Sequence, residues 1–272
     1  MTHEFSYHAP GSPAEALEVL ERHAGDAAVL SGGTDLLVNI RSGLSKPSHV
    51  VDIKQIPELK TLNYDGKNGL TIGACVTVNE MLAYEPVAES YAVLQAAGEE
   101  LATYQLRNRA TPVGNIVTAS PCGDMSSPLL CLDAEVVVVS SNNTRRVSLR
   151  EFITGVKTTV LAPNELVREI VVPPTYAGAE AGYKKLKRIK GHDLGVIAVA
   201  LVKHSGLFRV GISSAAPTPL LLPEFAVGTS PEEVQDAAAA AISPIDDVRC
   251  TKEYRAFMVG VYIERLMSEV GA

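Results

Sequence analysis

Two rhythms of hydrophobic residues run along the chain. Leu17, Leu20 and Ala24 fall at helical spacing, and Ser12-Pro13-Ala14-Glu15 ahead of them supplies a hydroxyl cap, a proline at the first helical position and an acid at the third. Gly25 predicts the end of that helix. The short apolar run 27–30 reads as a buried strand, 36–41 as a second helix closed by Gly43, and 49–53 as another strand. Residues 1–55 therefore form a small β-α-β unit.

A second block covers 56–174. Strands are expected at 59–64 and 70–73 around the turns Asp65-Gly66 and Asn68-Gly69, then a helix opened by the capping box Thr77 to Glu80, and an alanine-rich helix at 92–102. A long polar, glycine-containing loop spans 107–124. A hairpin around Asn142-Asn143, a short helix capped by Ser148 and a strand at 165–172 follow, and Pro173-Pro174 marks a boundary. The third block, 175–272, carries strands at 183–188, 196–203 and 208–213. Two helices close it, one from Ser230-Pro231-Glu232-Glu233 and one over 251–270 with Phe257, Val261 and Leu266 among its apolar positions. The pattern is α+β, in three parts.

Composition narrows the function. In 272 residues, 46% are hydrophobic and 20% charged, which suits a folded chain with a substantial core. A net charge of -7 argues against nucleic acid or an anionic membrane surface as partner. No apolar run approaches the ~20 residues of a membrane span, and the polar start lacks a secretory apolar region, so a cytoplasmic protein with reduced thiols is expected. Cys75, Cys122, Cys131 and Cys250 form no C-x-x-C pair, which excludes common zinc ribbons and sequence-local iron–sulfur motifs. The histidines His3, His8, His23, His49, His192 and His204 show no ligand spacing; no clustering and no metal site are expected.

Three stretches carry candidate chemistry. Ser31-Gly32-Gly33-Thr34-Asp35 lies between a strand and a helix; paired glycines allow close backbone approach, and free amides there favour a phosphate, although the local string is equally a capped turn. The stretch from Ala110 to Asp124 is rich in small and hydroxyl residues, with Asn115 as a polar donor and Asp124 as an acceptor for sugar or ribityl hydroxyls; Cys122 lies within it and reads as a small buried residue. The run Tyr183-Lys184-Lys185-Leu186-Lys187-Arg188-Ile189-Lys190 reads as a charged edge strand, with alternate basic side chains available to an anionic or electron-rich ligand.

In order, these segments resemble the FAD-binding (medium) subunit of molybdenum hydroxylases, the family of xanthine dehydrogenases, aerobic carbon monoxide dehydrogenases and 4-hydroxybenzoyl-CoA reductases. Val29-Leu30-Ser31-Gly32-Gly33-Thr34-Asp35-Leu36-Leu37 resembles its first flavin motif, and Leu70-Thr71-Ile72-Gly73-Ala74 with Thr77 its next strand and helix. Gln105-Leu106-Arg107-Asn108 leads into the second motif at Thr111 to Asn115, with Ser120-Pro121 and Asp124 beyond it. Tyr183, Lys185 and Asp193 match the strand near the flavin ring, and Lys252-Glu253-Tyr254-Arg255 the start of the last helix.

The resemblance implies a PCMH-type FAD-binding fold: two α/β subdomains, then a C-terminal three-stranded antiparallel sheet with helices. It implies FAD held by Val29, Leu30, Ser31, Gly32, Gly33, Thr34, Asp35 and Leu36 from the first motif, and by Thr111, Val113, Gly114, Asn115, Ser120 and Asp124 from the second. Leu101 and Val167 would be apolar flavin contacts, and Tyr183 and Lys185 would lie by the ring, the lysine favouring a reduced anionic flavin. This chain would have no acid–base catalyst of its own. A large molybdenum-cofactor subunit would perform the substrate chemistry, and a small [2Fe-2S] subunit would pass electrons to the flavin. The resemblance admits a dimer of such heterotrimers.

One departure stands out. The family's second motif is Thr-Ile-Gly-Gly-Asn; here it is Thr111-Pro112-Val113-Gly114-Asn115. Pro112 removes an amide and Val113 resists positive φ, so either a lost phosphate contact or a different loop is expected, with FAD held more weakly or in an altered pose. The cysteine-free stretch 165–183 also disfavours the 4-hydroxybenzoyl-CoA reductase branch. Two other readings stand beside the first: a stand-alone flavin oxidoreductase of the same fold, and a flavin-free scaffold.

Overall fold

The computed structural model describes residues 3–189 and 191–272; Met1, Thr2 and Lys190 of the basic run lie outside the described residues. The chain opens with β1 (Ser6–His8), α1 (Pro13–Arg22), β2 (Ala27–Leu30), α2 (Leu36–Ser42) and β3 (His49–Asp52). The three strands form a parallel sheet in the order β1-β3-β2. β1 is too short and too exposed to show a pattern in the sequence; it exists because β3 offers it a ladder. Ser12 caps α1 as expected, its Oγ accepting from the Glu15 amide at 3.3 Å, but the Glu15 carboxylate accepts from Gly11 N (2.8 Å) and not from the cap residue.

A 3-10 turn at Pro57–Lys60 shortens the strand expected at 59–64, because a proline at the first position favours a helical turn. Then come β4 (Leu62–Asp65), β5 (Gly69–Gly73), α3 (Val78–Ala83), α4 (Glu85–Ser90), α5 (Ala92–Glu100), α6 (Tyr104–Arg107), α7 (Pro112–Val117) and α8 (Ser126–Cys131). β6 (Glu135–Val139), β7 (Thr144–Ser148), α9 (Leu149–Phe152), β8 (Ile153–Gly155), β9 (Thr158–Thr159) and β10 (Leu166–Val172) complete the block. Its main sheet is antiparallel, in the order β4-β5-β10-β6-β7.

The stretch 107–124 is not the continuous loop expected. Thr111 and Pro112 open α7 as cap and first residue, so the proline's missing amide is one that a helix start leaves free in any case. Thr111 Oγ1 accepts from Gly114 N at 2.9 Å. Replacing Thr111 by valine should therefore cost about 1 kcal/mol of stability, whereas serine should be near neutral, as read from urea midpoints.

The third block holds β11 (Glu180–Leu186), β12 (Ile197–His204), β13 (Leu207–Ser213), β14 (Leu220–Leu221), β15 (Phe225–Ala226), α10 (Pro231–Ala241) and α11 (Lys252–Val270). The three long antiparallel strands stand as expected, and β14 and β15 each add a two-residue pairing to β13. Val259, Ile263, Leu266 and Met267 of α11 pack with Val199, Leu201 and Val210 of the sheet, while Phe257, expected in that face, stays 65% exposed.

The other face of this sheet meets α8, whose six residues are all buried. A Cβ at Gly211 would fall 2.5 Å from Ser127 O, so glycine is what lets β13 lie against the helix. Ala200 and Val202 of β12 accordingly belong to the same apolar core as α1, the second sheet and α8. The buried Arg209 guanidinium clamps the contact, giving two hydrogen bonds to Asp133 (2.5 and 2.6 Å) and one to Tyr176 Oη. No helix among the described residues is long and apolar enough to cross a membrane.

Candidate functional site

A cleft of about 350 Å³ opens where the ends of β2 and β3, the α6–α7 and α7–α8 segments, β10 and β11 converge. Its floor is the first loop. Ser31 Oγ donates to Ala74 O (2.7 Å) and lies 3.5 Å from Thr111 Oγ1, which joins the two motifs. Gly33 has φ +76°, and a Cβ on Gly32 would press into the Arg109 backbone. The amides of Gly33, Thr34 and Asp35 donate to no other group among the described residues. A row of free amides on a tight loop is a cradle for an anion.

The opposite wall is apolar, with Leu101, Leu106, Leu161, Leu166 and Val167. At the polar end, Asn115 Oδ1 accepts from Met125 N at 3.2 Å, and the buried Asp124 carboxylate receives Lys185 Nζ at 2.9 Å. Lys185 Nζ also donates to Glu100 O (3.2 Å), and Tyr183 Oη to Asp124 Oδ1 (3.3 Å). Burial pushes the Asp124 carboxyl up, while the lysine and the tyrosine hydroxyl oppose that shift. Burial and the adjacent Asp124 raise the Tyr183 phenol well above its usual range.

Most of the expected residues meet here: Val29, Ser31 to Leu36, Leu101, Thr111, Val113, Gly114, Asn115, Ser120, Asp124, Val167 and Lys185 line the cleft. Leu30 does not. Strand alternation turns its side chain into a small core with Ile40 and Val50. Tyr183 reaches the site only through its bond to Asp124. The Lys185 charge is not free either, being compensated by Asp124. Its basic neighbours are also paired, Lys184 with Glu269 and Lys187 with Glu100, as befits the edge strand β11.

Several lining residues were not foreseen. Ile53 follows the C-terminal end of a parallel strand, where ligands commonly sit, and that rule could have found it. Ala74, Leu106 and Leu161 carry no such signal. Cys122, expected to be buried, is half-exposed on the cleft wall, where Arg249 Nη1 donates to its sulfur at 3.0 Å. His8, His23 and His49, expected to be scattered, come together away from the cleft.

Asp193 and Leu194 close one rim. Asp193 accepts from Arg188 N, Nε and Nη2, each at 3.1 Å, and this pairing lowers its carboxyl from 3.8 to about 2. A depressed carboxylate stabilises the fold above its unfolded value of 3.8 and loses that contribution as pH falls toward about 2. An NMR titration should therefore place Asp193 near 2, and Arg188→Met should return it toward 3.8.

An anion cradle, an apolar wall and a polar end with a buried carboxylate suit a ligand that combines phosphates, hydroxyls and an extended aromatic ring. The residues present thus fit FAD. Comparison with known proteins agrees. Residues 3–175 match the family described as "FAD binding domain in molybdopterin dehydrogenase". The chain is similar to the carbon monoxide dehydrogenase medium chain of Hydrogenophaga pseudoflava, 30% identical over 280 residues, covering 98% of this chain and 97% of that one. It is also similar to the xanthine dehydrogenase FAD-binding subunit of Escherichia coli O157:H7, 26% identical over 282 residues, with 98% and 96% covered. Among solved structures, reconstituted CO dehydrogenase from Oligotropha carboxidovorans superposes with a TM-score of 0.93 at 27% identity, covering 100% of this chain and 99% of that one.

Proposed function

Since the chain belongs to the family of FAD-binding domains of molybdopterin dehydrogenases, we propose that it is the electron-transfer flavin stage of a larger oxidoreductase. In this reading a large partner chain carries the molybdenum cofactor and a small partner carries [2Fe-2S] clusters. Electrons reach the FAD from those clusters and leave to an external acceptor. The complex would be cytoplasmic, with the three parts 1–55, 56–174 and 175–272 of this chain acting as one unit. What carries the reading is the cleft itself, in which unpaired amides of Gly33, Thr34 and Asp35 face an apolar wall.

FAD, when bound, supplies the redox chemistry that these side chains do not. The chain's own residues bind and orient. The Gly32-Gly33 loop and the Thr111–Asn115 turn would take the pyrophosphate, through amides and the Thr34 hydroxyl. Leu101 and Val167 would flank the ring and keep water from it. Lys185 and Tyr183 hold Asp124 in one position, from which its carboxylate would accept from cofactor hydroxyls. Pro112 fits the first turn of α7 without disturbing the helix, but leaves its start one amide fewer to offer a phosphate.

The test is cofactor retention and company. The purified protein should keep one FAD per chain through gel filtration, and native mass spectrometry should find it with a molybdenum protein and a [2Fe-2S] protein. Colourless protein that takes up no added FAD would sink the cofactor role. Flavin-loaded protein without partners would point to a stand-alone oxidoreductase.

A further inference from the structure

Away from the cleft, the α1 face of the first sheet gathers three imidazoles. His8 ends β1, His49 begins β3, and His23 is the C-cap residue of α1. The parallel register sets Ser6 opposite His49 and His8 opposite Val51, so His8 and His49 share a face. His8 Nε2 lies 3.0 Å from His49 Nδ1, and one ring nitrogen from each of the three lies within 4.8 Å of the other two. Nitrogens bound to one tetrahedral zinc at about 2.0–2.1 Å stand about 3.3 Å apart, inside that span. All three rings are half-buried, open enough for an ion to enter.

We propose that His8, His23 and His49 form a binding site for one first-row divalent ion of the zinc type, with water completing the coordination. Three imidazoles without a thiolate select zinc, nickel or copper over magnesium or calcium, which prefer oxygen. The His23 ring is stacked on that of His49, with centroids 3.6 Å apart and planes 18° apart. Near-parallel rings cannot aim their lone pairs at one point, so His23 turns out of the stack when the ion binds. It sits at a helix end, where rotation about its own side-chain bonds suffices. Partial desolvation and the adjoining imidazoles lower the His23 proton affinity. Asp26, held by the Ser48 amide at 3.1 Å, lies close enough to supply a counter-charge.

The ion would act as a staple. Among the described residues, the small apolar core on the other face of this sheet has Leu30, Ile40 and Val50 as its buried members. A bound ion would add a link among α1, β1 and β3 beside the packing of Ala16, Leu17 and Leu20 with Val51. His49 pairs with Ala27, whereas the cofactor loop follows Leu30 at the other end of β2, so the ion would take no part in the flavin cleft. The proposal does not depend on the electron-transfer reading.

The experiment uses flavin-loaded protein stripped with a chelator, titrated with Zn2+ by calorimetry and with Cu2+ by electron paramagnetic resonance. One Zn2+ per chain is expected, with imidazole nitrogen splitting on the copper signal and a thermal midpoint raised by a few degrees. His23→Gln and His49→Gln should each weaken Zn2+ at least about tenfold while leaving flavin content unchanged. His23→Gln is the safer variant, since it alters a helix end, and its flavin content reports that it folds. Absence of saturable binding, or wild-type affinity in the His8→Gln/His23→Gln/His49→Gln protein, would overturn the site.

Discussion

Replacing Gly32 by alanine is expected to strip the flavin from the protein. A Cβ at this position would lie 2.9 Å from the Arg109 carbonyl carbon and 3.2 Å from Ala110 Cα, with the Arg109 oxygen nearer still. These are backbone atoms, so no rotamer change relieves the overlap. Arg109 and Ala110 are themselves pinned, their amides to Leu106 O (2.9 and 2.8 Å) and Ala110 O to the Val78 amide (2.8 Å). The two motif loops must separate, at a cost of about 1–3 kcal/mol, typical of overpacking. If that cost falls on the bound state, FAD affinity drops roughly 5- to 150-fold. Dialysis against flavin-free buffer reads this directly. Gly66→Ala is the control, since nothing lies within 4 Å of its Cβ. Stoichiometric, wild-type flavin binding by the Gly32→Ala protein would refute the claim that close loop contact shapes the cradle.

Lys185→Met should be the more damaging change to stability. The Lys185 side chain is 2% exposed and Asp124 11%, so removing the ammonium leaves a buried carboxylate without its partner. Breaking such a pair costs about 3–5 kcal/mol. Burial already pushes the Asp124 carboxyl up; without the lysine it should rise further and take up a proton. Adding Asp124→Leu should restore much of the lost stability in urea melts, because no orphan charge remains. It should not restore the flavin if Asp124 accepts from cofactor hydroxyls. Recovery of both in the double variant would make the pair purely structural.

The longer strands and the two terminal helices are legible because each presents an alternating, a continuous apolar or a helical pattern, several of them bounded by caps, turns or prolines. β12 and α11 are examples, with Ile197 to Val202 buried in succession and Thr251 capping the helix. α7 and α8 were not. Pro112, Gly114 and Asn115 read as loop formers, and Ser126, Ser127 and Pro128 are polar or turn-forming residues that nevertheless lie buried in α8. α8, buried along its whole length, has no polar face and so no period to detect, and α7 is too short to show one. In the site, the glycine loop and Asp124 could be found by local chemistry and resemblance. Leu30 could not be separated from its neighbours until strand alternation fixed where it points. The three histidines are separated by whole elements, and only the β1–β3 register brings two of them together.

The packing of β13 on α8 has a consequence for how the protein is made. A nascent chain that has emerged only through β10 already carries both glycine-rich loops. It lacks Lys185 to neutralise Asp124, and it lacks Ala200, Val202 and Gly211 to cover the helix that follows Asp124. The cleft is therefore expected to set fully only after β13 has left the ribosome and folded back. Cofactor loading should then follow the synthesis of β13, and products stalled before it should emerge colourless.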